Sequence, residues 1–487
     1  MIEELKQAAL LAGVEQTANV LREAQCAGNL RASWQGVTTD SRQVAPGNLF
    51  VALRGERFDA HDFLDQVQLA GATVLLVEKM PPGLQLLPQV ATIIVPDTRQ
   101  ALQQLASHWR QQFSLPVIAV TGSNGKTTVK EMIAAILRAA FGETAMLATR
   151  GNLNNDIGVP LSALRLSGYQ RAAVLELGMN HPGEIAVLAA IAQATVALVN
   201  NAQREHQEFM HSVRAVAEEN GTVLKQLPVD GVAVFPYDDE FTALWQEYAG
   251  KRRVLHFGLH EKADVSGSYH STEFGSKVQV RLRQENATRQ FSLQLAAPGE
   301  HNVKNALAAI ACCYAAGIEI NAIVQGLENF APVSGRLQRK QSRHGALVID
   351  DSYNANPDSV RAAIEVLAKT ERTQILVLGD MGEVGADGPA FHTEIGSYAA
   401  QAKIDYLFCL GAASPACVAA WQQRVHVSGT QQVAQHFTEL ADLLAALDQL
   451  PAVQQGKASI LVKGSRSMQM ERIVQHLLGQ TITQGAH

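Results

Sequence analysis

The chain has no apolar run approaching the ~20 residues that a membrane-spanning helix requires. Its start, Met1-Ile2-Glu3-Glu4-Leu5-Lys6, brings acids early and no apolar core, so no secretory signal is expected. A basic stripe is also lacking. The 40 Lys and Arg against 46 Asp and Glu leave a formal charge of −6, which argues against nucleic acid and for small substrates held by local positive sites. Cysteine is scarce. The five present (Cys26, Cys312, Cys313, Cys409, Cys417) show neither metal-ligand nor framework spacing and read as reduced, buried thiols of a cytoplasmic protein. Repeats, low-complexity tracts and charge blocks do not occur. What remains is a 487-residue chain of ordinary apolar content, long enough for three domains at roughly 150 residues each.

The most telling stretch is Thr121-Gly122-Ser123-Asn124-Gly125-Lys126-Thr127-Thr128. It follows the apolar Val117-Ile118-Ala119-Val120 and leads into the helix-like Lys130-Glu131-Met132-Ile133-Ala134-Ala135-Ile136-Leu137. Strand, glycine turn and helix N-terminus in that order make a phosphate cradle. Gly122 and Gly125 allow unusual backbone angles, Lys126 would reach the β/γ-phosphates, and the Thr127 hydroxyl could hold Mg²⁺. The spacing is two residues tighter than the common loop with four residues between its glycines.

Three segments are expected. Residues 1–112 mix short strands, such as Ala72-Thr73-Val74-Leu75-Leu76-Val77 and Ala91-Thr92-Ile93-Ile94-Val95, with helical stretches. They include the polar cluster Thr38-Thr39-Asp40-Ser41-Arg42, which suits a nucleotide or sugar diphosphate and equally suits a polar loop before a strand. Residues 113–331 carry the phosphate loop and buried-strand patterns at Ala172–Leu177 and Ala194–Val199, as in a mostly parallel sheet. A β-rich insert is expected from Arg253 to Leu295, then a helix near Asn302. Residues 332–487 alternate strands (Ala346–Ile349, Gln374–Leu378, Tyr406–Leu410, Ser459–Val462) with helices, a second doubly wound unit.

Several strings in this order resemble the Mur ligases of peptidoglycan synthesis across essentially the full chain. They are Thr39-Asp40-Ser41-Arg42, Asp59-Ala60-His61-Asp62-Phe63, the phosphate loop, Gly151-Asn152-Leu153-Asn154-Asn155, Glu176-Leu177-Gly178, His301-Asn302 with Asn305, Gly335-Arg336, Asp350-Asp351-Ser352-Tyr353-Asn354-Ala355-Asn356-Pro357 and Lys463-Gly464-Ser465-Arg466. The Asp-Asp-Ser-Tyr-Asn-Ala-Asn-Pro string is similar to the branch that joins D-alanyl-D-alanine to UDP-N-acetylmuramoyl-tripeptide. The resemblance implies an α/β protein of three domains: an N-terminal UDP-muramoyl-peptide-binding domain, a central P-loop ATPase domain and a C-terminal Rossmann-like domain receiving the dipeptide. It implies a cytoplasmic enzyme using ATP and Mg²⁺, with no nucleic acid or membrane insertion, and a monomer is the default.

Residue by residue, the resemblance assigns catalysis to Lys126, His206 and Arg336. It gives nucleotide binding to Gly122 through Thr128, Asn302, Asn305, Arg336 and Asp351, and metal binding to Thr127, Glu176 and His206. Substrate binding falls to Ser41, Arg42, Asn152, Asn154, Asn155, Tyr353, Asn354, Asn356 and Lys463. Glu176, at the end of a strand beside the loop, is well placed to share Mg²⁺ with Thr127. Asn302 and Asn305 share one helix face, and their amides could both donate to and accept from an adenine edge.

One departure stands out. Where the family carries a lysine that CO₂ carbamylates, this chain has Asn220, in Val216-Ala217-Glu218-Glu219-Asn220-Gly221. Either Asn220 does the polar task uncharged, or Glu218 or Glu219 supplies the missing charge; an alignment shifted to Lys225 is a further possibility. Two other functional readings stay open here: a sister ligase adding a single amino acid, and a non-catalytic nucleotide-binding protein of the same fold. The absence of an Asn-Lys-x-Asp string speaks against a guanine-nucleotide switch.

Overall fold

The computed structural model describes residues 10–482 apart from 57, 206, 273, 285–286 and 429–431. Among these residues the strands form three main sheets, of five, nine and six strands, and a two-stranded ribbon. In the first, Val37–Thr38, Leu49–Val51, Val74–Val77 and Ala91–Ile94 run parallel, and Gln25–Gly28 closes one edge antiparallel.

The central sheet places Val117–Thr121 between Ala172–Glu176 on one side and Val196–Val199 on the other, all parallel. From Val117–Thr121 the chain goes to Met146–Ala148 at the sheet edge, back to Ala172–Glu176 and then across to Val196–Val199 on the other side. The loop after Thr121 therefore opens at a topological switch point, where α/β sheets leave a crevice. Val117–Thr121 is buried on both faces, which explains its unbroken apolar character. Ile118 and Val120 pack against Val129, Met132, Ile133 and Ile136 of the helix Lys126–Phe141. Val117 and Ala119 pack on the opposite side with Val159, Ile185 and Leu188.

The β-rich insert extends this same sheet. Val232–Pro236 and Arg253–Gly258 continue it in parallel, then Val265–Thr272, Gly275–Arg283 and Thr288–Leu295 form antiparallel hairpins. Helix Glu300–Ala315 lies across it, its small and apolar face fully buried.

The helix Thr98–Arg110 begins at the Asp97 side-chain cap and joins the first and second parts into one core. Buried Arg110 donates to the carbonyls of Ala192 (3.1 Å) and Gln193 (3.0 Å), satisfying the end of helix Glu184–Ala192. The third sheet orders Gln338–Gln341, Leu347–Asp351, Ala458–Lys463, Thr373–Gly379, Tyr406–Leu410 and Val433–Phe437, parallel but for the first strand. None of the described helices is long and apolar enough to cross a membrane.

Candidate nucleotide-dependent active site

The loop Gly122–Gly125 folds as its glycines demand. Gly122 has φ +128° and Gly125 φ +83°, and a Cβ on Gly125 would sit 2.5 Å from Asn305 Oδ1. A side chain there would therefore meet both backbone strain, on the order of 1–2 kcal/mol, and a clash. Gly125 opens the helix Lys126–Phe141, whose free N–H groups and dipole favour an anion.

Other segments hold the loop from beneath. Asn220, almost fully buried, accepts the Gly122 N–H at 2.8 Å and donates to the Val216 carbonyl at 3.1 Å. A run of amides continues along one side: Asn302 donates to the Pro298 carbonyl, Asn305 to Asn302 Oδ1, and Asn200 to Asn305 Oδ1 and the Asn124 carbonyl. Asn201 Oδ1 accepts the Asn124 N–H at 2.9 Å. The shared face of Asn302 and Asn305 is thus turned to bracing the loop, using part of the hydrogen-bonding capacity expected for a base edge.

The loop floors a cavity of about 640 Å³ walled by the central-sheet domain and by the third-sheet domain. Ser123 through Thr128, Asn154, Asn155, Glu176, Asn302, Asn305, Arg336, Asp351, Tyr353, Asn354, Asn356 and Lys463 line it. Gly122 lies behind the loop surface. Ser41, Arg42 and Asn152 are not among the lining residues: Ser41 starts a short turn capped by Asp40, Arg42 pairs with Asp40 at 2.9 Å, and Asn152 is exposed. His206 lies outside the described residues.

Lys126 Nζ bonds to the Gly122 and Ser123 carbonyls and to Glu205 Oε1. Glu176 Oε1 accepts from Thr127 Oγ1 at 3.1 Å and from Asn154 Nδ2 at 2.9 Å, whereas its buried Oε2 has no hydrogen-bond partner among the described residues. A buried, bare carboxylate oxygen beside a threonine hydroxyl and a phosphate cradle suits a hard cation such as Mg²⁺, which takes one or two protein oxygens and fills the rest from phosphate and water. No larger set of three His, Cys, Asp or Glu able to hold a metal occurs among the described residues.

Across the cavity, the Arg336 guanidinium lies 4.3 Å from the Tyr353 ring centroid, and Arg466 approaches the same ring at 5.8 Å. Asp351 accepts from Lys463 Nζ at 2.6 Å and from the Leu337 N–H. Burial raises the Asp351 carboxyl above the usual range, and Lys463 opposes that. Lys463 also donates to the Asn354 carbonyl at 2.8 Å, so its ammonium ties strand ends together as much as it faces the cavity. Asn356 caps the helix Pro357–Leu367 and reaches across to Asn124 at 2.8 Å.

Two expectations need correction. Glu219 accepts the Gly183 N–H (2.9 Å) and the Ile185 N–H (2.8 Å), capping helix Glu184–Ala192, and Glu218 pairs with Arg214 at the surface. Neither lines the cavity, so neither supplies an anion there. Sequence reasoning also passed over Asn200, Asn201, Gln203, Arg204 and Glu205. Their signal was a dense polar run immediately after the buried strand Val196–Val199, at the carboxyl edge of a parallel sheet.

Comparison with known proteins agrees along the chain. Residues 33–110 match the Mur ligase family, catalytic domain; residues 120–313 match the Mur ligase middle domain; residues 335–466 match the Mur ligase, glutamate ligase domain. UDP-N-acetylmuramoyl-tripeptide–D-alanyl-D-alanine ligase of Escherichia coli is 43% identical over 443 residues, covering 91% of this chain and 93% of that protein. The enzyme of the same name from Bacillus subtilis is 35% identical over 451 residues, covering 91% and 93%. A crystal structure of MurF from Acinetobacter baumannii superposes with a TM-score of 0.86 at 34% identity, covering 96% of this chain and 99% of the other.

Proposed function

The chain belongs to the Mur ligase family, and from that premise we propose that it joins D-alanyl-D-alanine to UDP-N-acetylmuramoyl-tripeptide at the expense of ATP, in the cytoplasm and as a monomer. The observation that carries this reading is the cavity between the phosphate loop and the third-sheet domain, with Lys126 and Glu176 on one wall and Arg336 and Tyr353 on the other.

A carboxylate must be activated before an amine can displace its oxygen. The γ-phosphoryl group of ATP moves to the terminal carboxylate of the tripeptide, giving an acyl phosphate and ADP. The dipeptide amine attacks that carbonyl, loses a proton, and the tetrahedral adduct expels phosphate. Transfer of this kind needs placement and charge neutralisation more than covalent help. Gly122–Thr128 would hold the phosphates by backbone N–H groups, and Lys126 would neutralise the β/γ oxygens. Thr127 and Glu176 Oε2 would hold Mg²⁺, which would supply charge neutralisation for phosphoryl transfer. Arg336 would meet the transferring group from the opposite wall, and Asp351 would take the ribose. Residues 1–112 would carry the UDP-muramoyl end through Ser41 and Arg42, 113–331 the ATP, and 332–487 the dipeptide. His206 would hold a second cation.

The test is ADP release with UDP-N-acetylmuramoyl-tripeptide present and the acceptor amine varied. Turnover with D-alanyl-D-alanine and little with meso-diaminopimelate, L-lysine or L-glutamate is expected. Preference for a single amino acid would move the chain to a sister branch.

A further inference from the structure

Arg204 sits in the polar run after strand Val196–Val199, within the segment that braces the phosphate loop. Its side chain is held by two carboxylates of the opposite domain. NH2 donates to Asp358 Oδ1 at 2.6 Å and NH1 to Glu394 Oε2 at 2.6 Å, with Nε 3.2 Å from both Asp358 oxygens. The Arg204 backbone N–H also donates to Asp358 Oδ2 at 3.0 Å, and the guanidinium lies 5.3 Å from the Phe391 ring centroid. Asp358 begins the helix Pro357–Leu367, and Glu394 lies on the neighbouring helix Gly388–Gln401. One planar fork therefore grips two helices of the third-sheet domain, and its own backbone joins the grip.

The other end of this connection is the phosphate loop. Gln203 donates its N–H to Ser123 Oγ at 2.9 Å, Asn124 Nδ2 donates to Gln203 Oε1 at 2.6 Å, and Glu205, on the other side of Arg204, meets Lys126. Residues 200–205 thus hold the phosphate loop on both sides of Arg204, whose own side chain reaches the third-sheet domain. Arg204 is roughly one-fifth exposed, as is Asp358, so solvent screens the pair less than it would a surface pair.

We infer that Arg204 is a positioning residue that clasps the third-sheet domain to the phosphate-loop domain and holds the free protein in the arrangement in which the two walls of the cavity face one another. The clasp needs no ligand, so the closed arrangement is populated before substrates arrive. A substrate that bridges the walls then spends less of its binding energy on closure. The nucleotide rests mainly on one wall and gains less.

The experiment compares the full-length wild type with Arg204→Gln, Asp358→Asn and Arg214→Gln, the last removing an exposed pair within one helix. Small-angle scattering without ligands is expected to show a larger radius of gyration for Arg204→Gln and Asp358→Asn, with Arg214→Gln like wild type. Arg204→Lys, which keeps the charge but loses the fork, is expected to fall between. This arm does not depend on the proposed reaction. The kinetic arm does: KM for the dipeptide is expected to rise about tenfold with KM for ATP changed far less, as loss of a preformed closed state predicts. Asp358→Asn breaks the same clasp from the other side should Arg204→Gln fold poorly. Unchanged scattering in both variants overturns the inference, as does an equal rise in KM for ATP and for the dipeptide.

Discussion

Lys126 Nζ lies 2.7 Å from Glu205 Oε1, and both side chains are only 12% exposed. The cation that would neutralise the nucleotide's phosphates is therefore held by a carboxylate supplied by the neighbouring loop. A phosphate entering the cradle must compete with that carboxylate and approach a buried negative charge. Glu205→Gln is expected to tighten ATP binding by roughly three- to tenfold, measured by calorimetry. Weaker binding would mean that Glu205 orients Lys126 for the phosphate instead. Lys126→Ala is expected to cut kcat/KM by at least ~10³-fold and also to lower the melting temperature, because it removes the largely buried ion pair with Glu205.

Arg336 rests on the Tyr353 ring and lines the same cavity as the phosphate loop. Arg336→Ala should lower kcat by about 10²-fold or more while ATP affinity in the absence of the other substrates changes little. Parallel losses in affinity and turnover, compared by equilibrium binding and steady-state kinetics, would place Arg336 in the ground-state nucleotide site.

Asn220 cannot form a carbamate, and its amide oxygen is committed to the Gly122 N–H. Activity should be the same in degassed and bicarbonate-supplemented buffer. Asn220→Ala should raise KM for ATP by roughly 5–30-fold, the loss expected when a buried loop N–H goes unpaired. Stimulation by bicarbonate would redirect attention to another lysine, Lys225 first. Glu219→Gln should destabilise helix Glu184–Ala192 by about 1 kcal/mol in urea unfolding without changing the Mg²⁺ requirement.

Burial, aided by the nearby Lys463, holds the His301 imidazole at about 4, against 6.5 for a free histidine. The unfolded chain takes up a proton as pH falls through 6.5, and the folded chain does so only near 4. The His301 contribution to stability is therefore expected to be full above about pH 6.5 and to be lost down to about pH 4, by up to about 3 kcal/mol. His301→Gln should flatten that decline in urea unfolding series at pH 7 and pH 5. An unchanged slope would assign acid sensitivity to other groups.

Much was legible in advance because it is local. The phosphate loop needs two glycines, a lysine and a threonine at fixed offsets between an apolar strand and a helix, and the chain carries them in one contiguous string. The strands Val196–Val199 and Tyr406–Leu410 announced themselves because burial on both faces demands unbroken apolar runs. Val433–Phe437 gave no such signal: it is an edge strand whose burial alternates, and its Val-Ala-Gln-His-Phe pattern is too short to distinguish from a loop.

The site divides along the same line. The glycine loop and the helix it opens followed from covalent order and backbone geometry alone. What Asn220, Glu219, Lys463 and Arg204 do could not be read that way, because each role depends on partners 34 to 190 residues distant in the chain. A buried amide or carboxylate is compelled to find a hydrogen-bond partner, but composition does not say which one. Only the packed tertiary structure, by bringing a loop, a helix start and an opposing domain together, turned one polar residue into a loop support, another into a helix cap and a third into a clasp.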